Sequence, residues 1–326
     1  MATGTMIAVT RTAAVMLSLI STLVVTGCSG PPDTDASTTH TRETSRPTGG
    51  SAEPITLPPT SGVFDYQLGG AYDEIPAASA RATSTPTDTT AEAAAATTSI
   101  DVVVRDAGAD PLPGAYSVCY VNGFQTQPDE ADDWADDEDV LLHDGDGDLV
   151  VDPDWPDEHI LDPSTGHART VILDRLGEAI DGCAEDGFAA VEIDNLDIAQ
   201  RFDAISEDGV NALARSYVER AHQAGMAIAQ KNAAEITRTA HHDLGFDFAV
   251  TEECAAFDEC AAYTHVYGDQ VLEIEYPDSL AEAGLTFAEA CDSEDRAPLT
   301  ILRDRELVAA GEPGYRYEAC PSLDRS

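Results

Sequence analysis

The amino-acid sequence predicts an α/β fold, a (β/α)8 TIM barrel, from three observations. From Gly62 onward, short and almost wholly apolar β-rich runs alternate with amphipathic helical stretches, the pattern of a parallel sheet covered on both faces. There are eight such runs, which fit a barrel of about 250 residues. Nearly every run ends in polar or acidic residues, and in a barrel those carboxyl-terminal ends converge on one face around a pocket. A doubly wound open sheet is the competing architecture, but no glycine-rich phosphate loop follows any strand.

Residues 1–28 hold one basic side chain, Arg11, then an uncharged stretch from Thr12 to Gly27 rich in Ala, Val, Leu and Ile. This short apolar run with a positive start and a small-residue exit reads as a secretory signal peptide. It ends in Val25-Thr26-Gly27-Cys28, which resembles a bacterial lipobox and implies that Cys28 becomes the lipidated first residue. An uncleaved transmembrane anchor is the alternative, although the run is shorter than the ~20 residues a span needs. Either way the bulk of the chain is expected to be extracellular, held at the membrane by its N-terminus alone. Residues 29–61, dense in Ser, Thr, Pro and Gly, read as a disordered linker because they bury too little apolar surface to offset their ordering entropy. The barrel is then expected at 62–326, with a low-complexity Ala/Thr insert at 77–99. A tether that continues to Ile100 is the other reading of that insert.

The expected strands are Val63–Leu68, Ile100–Arg105, Tyr116–Val121, Ala189–Ile193, Met226–Gln230, Phe246–Val250, Gln270–Glu275 and Leu299–Leu302. Arg169–Asp186 reads as a helix from apolar residues at Val171, Ile172, Leu176, Ile180 and Ala184, and Asp208–Gly225 as another that a glycine stops. With Cys28 assigned to lipid, Cys119, Cys183, Cys254, Cys260, Cys291 and Cys320 remain, an even number in an oxidising compartment and enough for three disulfides. Cys254 and Cys260 are near enough to close a small loop, Cys291 and Cys320 would staple the C-terminal end, and Cys119 and Cys183 are left as the third pair.

Charge narrows the function. The 326 residues contain 61 Asp+Glu against 17 Lys+Arg, a formal net charge of -44. Nucleic acid, which needs clustered Lys and Arg, is excluded as a partner, and an anionic membrane surface would not attract the chain. His is scarce at the strand ends, so a Ser-His-Asp or Cys-His nucleophile has no obvious members, and neither CxxC nor His-x-x-x-His spacing suggests zinc. Asp144-Gly145-Asp146-Gly147-Asp148 has the look of a calcium loop, but its sixth and twelfth positions are Leu149 and Trp155, where such a loop needs Gly and Glu. It reads as a solvated acidic turn, and no metal is expected.

A pair of carboxylates without a metal is the equipment of glycoside hydrolysis. Asp194, after Val191-Glu192-Ile193, and Glu252, after Phe248-Ala249-Val250-Thr251, are the best candidates. Lys231-Asn232 ends the intervening strand. Lys231 is the one lysine in the chain, and an ammonium there would keep a neighbouring carboxylate ionised.

These residues resemble glycoside hydrolase family 114, the endo-α-1,4-polygalactosaminidase-like barrels. The resemblance runs from Phe64 to about Cys320. It is carried by Phe64-Asp65-Tyr66-Gln67-Leu68, Val118-Cys119-Tyr120-Val121, Gly187-Phe188, Val191-Glu192-Ile193-Asp194-Asn195, Gln230-Lys231-Asn232, Phe246 through Cys254, and Tyr263 through Tyr276. The family pattern is Glu-Pro-Asp-Asn at the fourth strand and Asn-Glu-Gln-Cys at the sixth, so Ile193, Thr251 and Glu253 are departures, as is Arg105-Asp106 at the second strand. By resemblance Asp194 is the nucleophile and Glu252 the acid/base, with Asp65, Gln67, Tyr120, Glu192, Asn195, Lys231, Asn232, Glu253 and Glu275 binding sugar. Tyr120 and Trp155 are candidates for stacking on sugar faces or for core. The resemblance implies a monomer without metal or organic cofactor that cuts α-1,4 linkages in a galactosamine-containing polysaccharide with retention. The rivals are a barrel that binds carbohydrate without turnover and a hydrolase of another α-glycan.

Overall fold

The computed structural model describes residues 54–76 and 97–323, apart from the side chains at positions 129, 131 and 132. The expected signal peptide with Cys28, most of the linker and the centre of the insert lie outside the described residues. Eleven strands are present among the described residues: β1 (Phe64–Gln67), β2 (Glu74–Pro76), β3 (Thr97–Ser99), β4 (Val102–Asp106), β5 (Tyr116–Asn122), β6 (Ala190–Asp194), β7 (Ala227–Lys231), β8 (Phe248–Glu252), β9 (Val271–Glu275), β10 (Leu299–Arg303) and β11 (Tyr317–Ala319). The helices are α1 (Gly166–Asp186), α2 (Ile198–Arg201), α3 (Glu207–Gln223), α4 (Thr237–Thr239), α5 (Cys260–Tyr267), α6 (Pro277–Ala283) and α7 (Phe287–Cys291).

The main sheet runs β1-β4-β5-β6-β7-β8-β9-β10-β11. Every pair from β1 to β10 is parallel, and β11 is antiparallel to β10. All eight expected strands are therefore present, in chain order, as the curled parallel sheet of a (β/α)8 barrel. β2 and β3 pair antiparallel at the base of the insert. The helix expected at 169–186 starts earlier, because Thr165 caps it by accepting the Ala168 N–H at 3.0 Å. It stops at Gly187, whose φ of 97° suits glycine. Ser206 caps α3 in the same way, with Glu207 and Asp208 in the first turn and Arg220 and His222 in the last, the arrangement that the helix dipole favours.

Alternation along the strands divides the apolar residues into two sets. The inner set includes Phe64, Tyr66, Val102, Val104, Val118, Ala190, Ala227, Ala229, Phe248, Val250, Leu272, Ile274 and Ile301. The outer set joins Cys119, Val121, Val191, Ile193, Ile228 and Ala249 to Ile172, Ile180, Leu213 and Tyr217 of α1 and α3. Alanines on β6 and β7 lie in the same inner set as the rings of Phe64, Tyr66 and Phe248, and such small-to-large alternation fills a barrel without voids.

Side chains bring the ends of the sheet together. Arg303 on β10 donates to Asp65 Oδ1 at 2.7 Å and to the Tyr66 carbonyl on β1, and the Tyr317 hydroxyl donates to the Phe64 carbonyl at 2.8 Å. Asp65 and Arg303 are both fully buried. Outside the barrel, disulfides join Cys119 to Cys183, Cys254 to Cys260 and Cys291 to Cys320. The first ties β5 to α1, the second closes the loop after β8, and the third holds the C-terminal segment to α7. The packed domain begins before Gly62: Pro58 is buried, Ile55 packs against the inner core, and the Tyr116 hydroxyl donates to the Thr56 carbonyl at 2.7 Å. The last residues of the expected linker thus belong to the fold, because they cover apolar surface.

If the Asp65–Arg303 pair holds the seam, Arg303→Ala leaves a buried carboxylate without its counter-charge. It is expected to lower the unfolding free energy by about 3–5 kcal/mol, measured by denaturant unfolding. A loss within experimental error would assign the seam to the remaining contacts.

Candidate active site

Glu192 and Asp194 on β6, Lys231 on β7 and Glu252 on β8 continue the inward-facing rows that begin with Ala190, Ala229 and Val250. The rows become charged only at the carboxyl ends of the strands. There the Lys231 ammonium lies 2.7 Å from Glu252 Oε2, 3.6 Å from Asp194 Oδ2 and 3.8 Å from Glu192 Oε1. The backbone turns sharply just beyond each: Asn195, Asn232 and Glu253 have φ of 63°, 48° and 63°. The left-handed region is costly for residues with a Cβ and least so for Asn. These turns end the strands where their last side chains face the mouth.

Each charged group has neutral partners. The Tyr66 hydroxyl donates to Glu192 Oε1 at 2.9 Å and the Tyr120 hydroxyl to Asp194 Oδ2 at 2.8 Å. The Tyr276 hydroxyl donates to Glu252 Oε1. Asn232 clamps Glu252 from two sides, accepting its backbone N–H at 2.8 Å and donating to Oε2 at 3.3 Å. Asn195 donates to Asn122 Oδ1 at 2.8 Å and accepts from Arg201 Nη2 at 2.8 Å and Gln125 Nε2 at 3.2 Å. Asn122 in turn donates to Glu158 at 2.9 Å.

Electrostatics separates Glu192 from Glu252. Burial pushes Glu192 up to about 8, and Lys231 only partly opposes it, while Asp194 and Glu252 add to the rise. Burial would raise Glu252 as well, but Lys231 and the hydrogen bonds from Tyr276 and Asn232 hold it below the usual carboxylate value. Burial disfavours a charged Lys231, yet Asp194, Glu252 and Glu192 more than reverse that and keep it an ammonium. Burial, with the carboxylates adding, pushes Tyr66, Tyr120 and Tyr276 far up, so they remain donors. Glu158 is pushed up to about 7 by burial, against its Asn122 bond and with help from Asp194.

The predicted residues do not all meet here. Asp194, Glu252, Lys231, Asn232 and Tyr120 surround one space, and Glu192 lies below them, fully buried with Oε2 unpartnered. Expected to bind sugar, Glu192 has no exposed surface and meets Tyr66 and Lys231 instead. Glu253 leaves the site and pairs with Arg305 at 2.6 Å, beside the Ser279 hydroxyl. Asp65 and Gln67 face the opposite way from Tyr66: Asp65 holds the seam, and Gln67 bonds Asp65 and Arg105. Glu275, fully buried, accepts the Ala255 N–H at 2.8 Å behind the sheet. These three were expected to bind sugar, and the alternation of β1 and β9 turns them away. Tyr66, Tyr276, Asn122 and Glu158 were not assigned a role. Counting alternate residues inward from Phe64 finds Tyr66, whereas Glu158 comes from a distant loop and carries no local signal. Trp155 is 62% exposed and therefore not core. Asp144 accepts the N–H groups of Asp146 and Asp148 at 2.9 and 3.0 Å, which makes the acidic run a hairpin turn. The grouping of Cys254, Cys260, Glu273 and Glu275 could otherwise hold a metal, but its sulfurs are joined in a disulfide.

The model of glycoside-hydrolase family GH114 matches residues 44–323. The chain belongs to this family. Among solved structures, this GH114 member is similar to Ega3 from Aspergillus fumigatus in complex with galactosamine. That match has 19% identity and a TM-score of 0.54, covering 84% of this chain and 100% of that one. The glycoside hydrolase domain of PelA from Pseudomonas aeruginosa matches with 16% identity and a TM-score of 0.43, over 65% of this chain and 90% of that one. No curated protein is matched by the chain.

Glu192 ordinarily titrates near 4.5 and here at about 8, so between these values the folded chain holds a proton that the unfolded chain has released. Stability therefore falls as pH rises through that window. Glu192→Gln, a mimic of the protonated carboxyl, is expected to reduce that slope in unfolding midpoints and to retain activity at neutral pH. An unchanged slope would show that Glu192 is ionised throughout.

Proposed function

We propose that the protein is an endo-acting glycoside hydrolase that cleaves α-1,4 linkages in a galactosamine-containing polysaccharide. The observation that carries this reading is the single ammonium of Lys231 set between Asp194 and Glu252 at the mouth of a GH114 barrel. Asp194 attacks the anomeric carbon, and Glu252 protonates the departing oxygen. Glu252 then takes a proton from the water that releases the sugar. Lys231, Asn232 and Tyr120 hold the two carboxylates in place. Retention is part of this reading, with the two carboxylates sharing the Lys231 ammonium at 2.7 and 3.6 Å.

A second reading exchanges the two roles, and the depressed pKa of Glu252 favours it, because an ionised group suits a nucleophile. In the first reading, substrate must loosen the Lys231 contact before Glu252 can carry a proton. The galactosamine held by Ega3 supports the choice of sugar. The net charge of -44 supports a polymer of free amino sugars, a polycation that an acidic surface would draw in. Three disulfides support an oxidising compartment, in keeping with a monomer anchored outside the cell through lipid on Cys28.

The full chain is expected to release oligosaccharides from partly deacetylated α-1,4-polygalactosamine. Asp194→Asn and Glu252→Gln should each lower kcat by about 10²–10⁴-fold, and undiminished turnover would remove the residue from the chemistry. A fluorosugar that arrests the covalent intermediate should label Asp194 on peptide mapping, whereas a label on Glu252 establishes the exchanged roles. Cys28→Ala should move the protein from the membrane fraction to the medium, and retention at the membrane would rule out the lipid anchor.

A further inference from the structure

The guanidinium of Arg305, two residues beyond β10, ties together the ends of three neighbouring strands. It donates to Glu253 Oε1, after β8, at 2.6 Å. It donates to the two oxygens of Asp278 at 2.7 and 3.0 Å and to the Ser279 hydroxyl, both in the first turn of α6 after β9. It also lies over the Tyr276 ring, 4.6 Å from its centroid, and the hydroxyl of that ring donates to Glu252 Oε1. We propose that Arg305 is a positioning residue of the active site, which braces the Tyr276 ring so that its hydroxyl stays on Glu252. The proposal rests on the reading of Glu252 as one of the two reacting carboxyls.

The geometry suits that task. Asp278 accepts from both Nε and Nη2, a bidentate grip that fixes the plane of a guanidinium and that an ammonium could not reproduce. A cation held over a phenol face is attracted to it, so the ring is gripped on one face and at its hydroxyl. Tyr276 is 3% exposed. Burial, and then Glu252, keep its hydroxyl protonated, while Lys231 and Arg305 act the other way and make it a stronger donor. Glu253 gives the cation a second task. It is a departure from the family pattern, a carboxylate next to Glu252 in sequence. Such a like charge pushes a neighbouring carboxyl up, and Arg305 compensates it.

Glu252 faces Lys231 and Asn232 from β7 and its turn, Asp194 and Glu192 from β6, Tyr66 from β1 and Tyr276 from the end of β9. Burial raises it, and Lys231 with the hydrogen bonds from Tyr276 and Asn232 holds it low. Loss of Arg305 frees Tyr276 to leave, so Glu252 should ionise at higher pH. The sign is the same for either role. As acid, Glu252 governs the alkaline limb of the activity profile, and as nucleophile the acidic limb, and both move upward.

The Glu252 carboxyl is titrated in the full chain by NMR of isotopically labelled glutamate, its signal assigned with Glu252→Gln. The Arg305 side chain is 42% exposed, so Arg305→Gln spares the core. It is expected to raise the Glu252 midpoint by about one pH unit. Adding Glu253→Gln removes the neighbouring charge but leaves the ring unbraced, so the rise should persist. An unmoved midpoint, or a rise that Glu253→Gln cancels, overturns the proposal. The pH dependence of kcat/KM on partly deacetylated α-1,4-polygalactosamine is followed in parallel, and its Glu252 limb should move by the same amount. A shifted titration in a chain that hydrolyses nothing would sink the hydrolase reading and leave the positioning role standing. Hydrolysis with an unmoved titration would do the reverse.

Discussion

The ammonium of Lys231 among three carboxyl groups is the interaction on which the site depends. An ammonium in a water-poor barrel is tolerable only with counter-charges at hand, and carboxylates so close together are tolerable only with a cation between them. One positive charge cannot satisfy three negative ones. The most deeply buried group, Glu192, therefore keeps its proton, and Lys231 makes its shortest contact, 2.7 Å, with Glu252. The distribution follows from depth: Glu192 is sealed below, whereas Asp194 and Glu252 have side chains 18% and 20% exposed at the mouth.

The scaffold makes that arrangement rigid. Three neighbouring strands each deliver one inward residue at the same level and then turn away through a left-handed residue. The Cys254–Cys260 loop starts two residues after Glu252, and Asn232 ties that carboxylate back to β7. Farther round the sheet, the buried Asp65–Arg303 pair draws β1 toward β10, so that the Tyr66 hydroxyl reaches Glu192 on β6 across the barrel. Closure of the sheet and support of the site are thus served by adjacent residues of β1.

Most of the surplus charge is a solvated coat, screened beyond about 10 Å in ordinary salt. Toward the cationic polymer proposed as substrate, such a coat would speed encounter.

The sequence by itself determined the architecture and the catalytic candidates. Eight apolar runs between amphipathic helices have few ways to bury their faces, and the left-over polar residues must gather at the strand ends, which singled out Asp194, Lys231 and Glu252. Two disulfides were legible because Cys254–Cys260 and Cys291–Cys320 are near in sequence, which left Cys119 and Cys183, 64 residues apart, as the third pair. Tertiary structure decided which polar strand-end residues face the mouth. Asp65, Gln67 and Glu275 looked as suitable as Tyr66 and Tyr276 until the pleat assigned them to the other side. Likewise Glu253 and Glu252 are adjacent in sequence, and only the turn at Glu253 sends one to Arg305 and the other to Lys231. Glu158 comes from the long segment between β5 and α1, which has no periodicity to read. Pattern fixes what must be buried, whereas charge, depth and distance exist only once distant segments have been brought together.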